Sequence, residues 1–247
     1  MSPGQRRRGP DLPYKLLAGV VPCRGGWLVA PAKLVGTGLF PEPATVSKTL
    51  IDIIDAVPSY TVIALAAPIG LPDKPTARGR EAEREARKLL GWPRLGAIMS
   101  APALPVAQRA KNYDQAVSLN GGSLSRVSWA QIRHIREVRD VVQSHIQRSV
   151  AEVHPELSFH QINGDRPLRY SKKTGQGLNE RGELLIAKMQ NLGTRIESDP
   201  PSGATRANVL DAYAALWTAR RIAARGAMRV PESPEWNSDG LRMEIMR

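Results

Sequence analysis

Only one cysteine, Cys23, occurs among 247 residues, which excludes an internal disulfide and a zinc site built on cysteines. Aromatic residues are sparse too. Two Phe, five Trp and five Tyr are scattered along the chain and form no stacking platform for single-stranded nucleic acid. No run approaches the roughly 18 consecutive apolar residues of a membrane-spanning helix. Arg6-Arg7-Arg8 is basic, but Pro10 and Pro13 interrupt the stretch after it, so no secretory leader is visible. A cytoplasmic protein with no membrane association is the expectation. Acids are in the minority: 23 Asp and Glu against 35 Lys and Arg leave a net charge of +12. Residues 1–13 supply only +2 of this, three Arg less Asp11, so the body carries the rest. A basic body favours a polyanion partner, most often nucleic acid. A solvated basic surface, or one that meets an acidic protein partner, is the other reading.

What is present, 42% hydrophobic residues over this length, suffices for a real core. Residues 1–13, rich in Gly, Pro and Arg, read as a disordered basic arm. Leu16 to Val21 and Trp27 to Val35 are apolar runs around Pro22-Cys-Arg-Gly-Gly26, which predicts a hairpin. Leu50, Ile51, Ile54 and Val57 follow helical spacing, and Pro58 stops that helix. Tyr60 to Ala66 is continuously apolar, as a central strand is. Residues 78–90 alternate Glu and Arg, which reads as a solvated helix without chemistry. Residues 91–123 are irregular and suited to capping a cleft. Ser128 to Gln147 reads as one helix, Val150 to His154 as a strand, and 163–177 as a basic loop. Helices are expected over Leu178–Leu192 and Arg206–Arg225. From Pro231 onward a polar surface tail is expected. With no repeat and no Gly/Ser linker, 14–230 reads as one α/β domain: a mixed sheet flanked by helices, with a leading β-hairpin and a long closing helix.

Three segments are candidates for chemistry. Glu152, His154 and Glu156 fall at a strand end, where carboxylates suit a hard cation such as Mg²⁺ or Mn²⁺. The plainer reading pairs Glu152 with an arginine and uses His154 in a turn. Asp211 sits inside an alanine-rich helix, where aspartate is a poor former, with Ala207, Asn208, Ala214 and Ala215 on its face. Small neighbours let that helix approach a sheet with one carboxylate aimed at it; a surface pair with arginine is the alternative. Between Arg166 and Lys173 there are four cations and no acid. Ser171, Lys172, Lys173 and Thr174, with the glycines after them, form a phosphate-binding candidate, extended by Arg181 and by Arg24 in the hairpin turn. The loop is not a P-loop, because the Gly-x4-Gly-Lys spacing is absent.

Five ordered segments resemble one family: Gly19-Val-Val-Pro-Cys-Arg-Gly-Gly-Trp27, Ala67-Pro-Ile-Gly-Leu-Pro-Asp73, Glu152-Val-His-Pro-Glu-Leu-Ser-Phe159, Ser171-Lys-Lys-Thr174, and Val209-Leu-Asp-Ala-Tyr-Ala-Ala-Leu-Trp-Thr-Ala-Arg-Arg221. They resemble domain-of-unknown-function family 429, predicted RNase H-like nucleases. The resemblance implies an RNase H-like fold and a divalent-metal carboxylate site between sheet and helix. The family pattern has aspartates where this chain has Val21 and Ala66, and acids near Ala207 and Asn208. Glu152, Glu156 and Asp211 remain as catalytic candidates, with Glu152 and Asp211 as the metal pair. Two-metal hydrolysis needs several converging carboxylates, and valine cannot ligate. The expectation is therefore a nucleic-acid-binding protein with a degenerate metal site, weakly catalytic or inactive. An active metal-dependent nuclease and an assembly protein for an acidic partner are the alternatives. A displaced acid such as Asp73 is a candidate to restore the site.

Overall fold

Alternation along the first hairpin decides how the layers form. In the computed structural model, which describes residues 13–76 and 78–247, β1 (Lys15–Cys23) and β2 (Gly26–Val35) pair antiparallel, with Cys23 opposite Gly26. The expected basic arm lies outside the described residues apart from Pro13. β3 (Gly38–Pro41) and β4 (Thr45–Ser47) each pair with β2. β5 (Val62–Leu65) and β6 (Val150–Glu152) continue on the other side, both parallel to β1. The order is β3-β2-β1-β5-β6, with β4 also on β2. This is the mixed sheet with a leading hairpin that the sequence predicts.

Ten helices are seen among the described residues. They are α1 (Leu50–Ile54), α2 (Glu81–Leu90), α3 (Leu104–Arg109), α4 (Tyr113–Leu119), α5 (Arg126–Ala130), α6 (Ile132–Val141), α7 (Pro155–Ile162), α8 (Gly175–Lys188), α9 (Gly193–Glu197) and α10 (Arg206–Ala223). Because strand side chains alternate, β1 sends Leu17 and Val21 to one face and Ala18 and Val20 to the other. The first face packs on α10, with Phe159 of α7 and Leu185 of α8. The second packs on Leu50, Ile53 and Ile54 of α1 and Val138 of α6. Both faces are covered, as the continuously apolar β5 requires.

The closing helix lies unusually close to the sheet. A Cβ at Gly19 would fall 2.0 Å from the carbonyl oxygen of Ala212 and 2.3 Å from the backbone nitrogen of Leu216. Glycine in β1 and alanines in α10 thus let backbone meet backbone, and Asp211 arrives beside the carboxyl end of β1 with them.

Some expectations change. The helix foreseen through Leu50 to Val57 is only α1, which Thr49 caps through its side chain and which ends at Ile54, before Val57. The single helix foreseen over 128–147 breaks at Gln131 into α5 and α6. Val142 and Ile146 are buried, but from beyond the helix end. The surface tail is instead a hairpin of β7 (Arg229–Trp236) and β8 (Arg242–Met246). It buries Val230 and Ile245 against Ala82, Ala86 and Leu90 of α2. Its few apolar residues stand among Pro, Ser and Glu, which hides the strand pattern.

Candidate functional site

The parallel strands β1, β5 and β6 end together, and in open α/β sheets the carboxyl ends of such strands are where ligands bind. A pocket of about 590 Å³ lies there. Val21 and Ala66 line it, with Glu152, Glu156, Lys172 and Asp211 around them. Residues between Pro93 and Ala101, with Val127 and Ser128 of α5, also line it. The rest of the stretch expected to be irregular, 91–123, instead holds the helices α3 and α4.

Each of the three acids faces a cation of its own. Asp211 on α10 accepts from Nζ of Lys172 at 2.7 Å. Glu156 takes both oxygens to Nη2 of Arg181, at 2.7 and 3.0 Å. Glu152 accepts from Nη1 and Nη2 of Arg80, at 2.9 and 2.5 Å, and from the backbone N–H of Ile69 at 2.6 Å. Arg80 also holds Glu83, and its Nη1 reaches the carbonyls of Ile69 and Gly70. Arg80 and Arg181 are each 1% exposed, so these pairs are screened little by water.

The acids divide into two groups. β6 pairs Glu152 with Leu65, which belongs to the α1 and α6 face of the sheet, whereas Val21 belongs to the α10 face. The charged neighbours acting on Glu152 are Arg80 and Glu83. Those acting on Asp211 are Lys172, Glu156 and Arg181. Glu152 and Asp211, expected as the metal pair, are therefore each tied to a separate cation. Glu156 is the acid nearest in effect to Asp211. It comes from α7, whose first residue is Pro155, because His154 caps that helix by accepting from the Glu156 N–H at 3.2 Å.

Burial sets the protonation balance. It pushes the Glu152 carboxyl up to about 7 against the pull of Arg80. It raises Asp211 as well, with Lys172 opposing. Burial alone would lower Lys172, but Asp211 outweighs it and the ammonium is held more firmly. Burial drives His154 down to about 4, so the imidazole is neutral near pH 7 and free to accept.

The basic loop is put to structural use in part. Thr174 caps α8 by accepting from the Gly177 N–H at 3.1 Å. Gly177 is there for close approach, since a Cβ would fall 1.9 Å from the Ser171 carbonyl oxygen. Its N–H is thus spent on Thr174 and is not presented to a phosphate. Arg181, expected on the phosphate patch, is buried against Glu156 and the ring of Phe159. Ser171 and Lys173 do line the pocket. Arg24 does not: it is exposed in the hairpin turn, where its carbonyl accepts from Arg133. Asp73 binds the N–H and hydroxyl of Ser238 and is no substitute ligand.

The matching family model is described as Protein of unknown function (DUF429) and spans residues 17–236. The chain belongs to this family. No curated protein and no solved structure matches it. The family span takes in Val21, Ala66, Glu152, Glu156, Lys172 and Asp211. Among the described residues no group of three or more His, Cys, Asp or Glu is arranged to hold a metal ion. The donor set present does not fit a two-metal centre: two positions are apolar and three acids are already neutralised.

Sequence reasoning missed Arg80 and Glu83. They lie in the alternating segment read as a solvated face, yet Glu83 is 2% exposed and bonds the Arg80 N–H at 2.6 Å. The plainer reading of Glu152, a pair with an arginine, holds, and so does the turn role of His154. No helix among the described residues is long and apolar enough to cross a membrane.

Proposed function

We propose that this protein binds nucleic acid on an RNase H-like frame whose metal site has been replaced by internal ion pairs, leaving it weakly catalytic or inactive. The Lys172–Asp211 pair carries this reading. An ammonium on the pocket-lining carboxylate supplies the positive charge that a metal would bring, but it cannot polarise water as a Lewis acid does. Arg181 does the same for Glu156 and Arg80 for Glu152. The net charge of +12 and the pocket-rim Lys173 and Arg94 supply attraction for phosphates.

One observation favours the active-nuclease alternative. Oδ1 of Asp211 is buried without a hydrogen-bond partner, so one carboxylate oxygen beside the pocket is uncommitted and would serve a Mg²⁺ or Mn²⁺ ion once turned toward it. Glu156 is its nearest acidic neighbour in effect, and Arg181 would have to release it first.

The test is a panel of single- and double-stranded DNA and RNA, incubated with Mg²⁺, Mn²⁺ or EDTA, for the native chain, Glu156→Gln and Asp211→Asn. Binding that weakens steeply with salt, and no cleavage above the variants, is the expected result. Metal-dependent cutting lost in both variants establishes the nuclease instead. Binding to none of the panel, with the protein folded, removes nucleic acid as the partner.

A further inference from the structure

The same pocket says how much of a nucleic acid can enter. Its volume of about 590 Å³ falls within the roughly 300–1,000 Å³ typical of clefts that take one small molecule. Pro93, Ile98 and Met99 join Val21, Pro22 and Pro68 in its wall, so much of the wall is apolar. A double helix does not fit into a concavity of this size. A single nucleotide does, provided it is free or drawn out of a stack.

The polar groups are arranged unequally. Asp211 is 7% exposed, and Oδ2 takes Lys172 while Oδ1 has no partner. A buried carboxylate oxygen without a donor is costly to leave, and because Asp211 lines the pocket, a small turn of its carboxylate lets a ligand N–H or O–H relieve it. The cations differ as well. Lys172 and Arg181 are committed to acids. Lys173 is exposed and makes no ion pair among the described residues. Arg94 spends Nε and Nη2 on the carbonyls of Leu168 and Arg169, which leaves its charge uncompensated by a carboxylate.

We propose that the pocket accepts one phosphorylated nucleoside unit, its phosphate at Lys173 and Arg94 and a base amino group or sugar hydroxyl donating to Oδ1 of Asp211. The inference rests on the proposed nucleic-acid binding. Two sources share this chemistry, a free mononucleotide and the phosphorylated end of a single strand.

The full chain tests it, by calorimetric titration with inorganic phosphate, adenosine, uridine, their 5′-monophosphates, a 5′-phosphorylated single-stranded oligonucleotide, a circular single strand and a closed circular duplex. Monophosphates should bind and compete with the phosphorylated strand end, while the two circles bind only through salt-sensitive contacts that monophosphates do not displace. Lys173→Ala should weaken the monophosphates roughly tenfold or more, the size of one lost charged hydrogen bond, and leave the nucleosides unchanged. Asp211→Asn should weaken nucleoside and monophosphate alike. Monophosphates that bind when no polymer does identify the free nucleotide as the source and end the polymer reading. Circles and strand ends bound equally, with no competition from monophosphates, overturn this inference and leave the nucleic-acid reading standing. No binding of any probe overturns both.

Discussion

Arg80 shows how much one side chain can hold. Its guanidinium joins Glu83 on α2, Glu152 at the end of β6 and two carbonyls of the Ile69-Gly70 turn. Removing it leaves two carboxylates buried without a counter-charge. Arg80→Met should therefore destabilise the protein by about 3–5 kcal/mol, measured as a lower urea midpoint with an unchanged slope. Replacing all three members by apolar residues should recover much of that loss, because the desolvation of the charges disappears with the charges. A single-site loss below about 1 kcal/mol would mean that water reaches the cluster and screens it as at a surface. Lys172 differs in kind. Its side chain is 42% exposed, so its loss weakens the protein less and chiefly frees Asp211.

At the scale of elements, the α10–β1 contact fixes where Asp211 stands. Gly19 is the residue that permits it. Gly19→Ala places a methyl against the Ala212 carbonyl, and backbone, unlike a flexible side chain, has little room to yield. The expected cost is roughly 1–3 kcal/mol from overpacking, read by thermal unfolding, with a shift of the α10 amide signals in NMR spectra. This contact was half legible in the sequence, from the run of small residues around Asp211. The hairpin, the central strand and the closing helix were legible because their apolar periods are strong. The partner of Glu152 was not. Helix α2 buries Ala82, Glu83, Ala86 and Leu90 along one face, and a stripe of two alanines and one leucine with a salt-bridged glutamate among them is easily lost in the alternating Glu and Arg. The β7–β8 hairpin was hidden for the same reason, since only Val230, Pro231, Met243, Glu244 and Ile245 of its strands are buried. The family resemblance placed Glu152, Glu156, Asp211, Val21 and Ala66 in one region. It could not say which basic residue meets which acid, because those pairs are 72, 25 and 39 positions apart.

For the whole molecule, the ion pairs carry a consequence for supply. A divalent cation in a carboxylate site comes and goes, so its occupancy follows its concentration and a folded state that depends on it follows too. The guanidinium and ammonium groups here are attached to the backbone. They have no dissociation constant to satisfy, and no chelator can withdraw them. The unfolding temperature should be the same in EDTA as in millimolar Mg²⁺, within the error of a calorimetric scan. A rise of several degrees with added Mg²⁺ alone would reveal a cation bound after all. If the temperature is flat, the protein holds its pocket in one electrostatic state whether metal is plentiful or scarce, and starvation for metal ions leaves it unaffected.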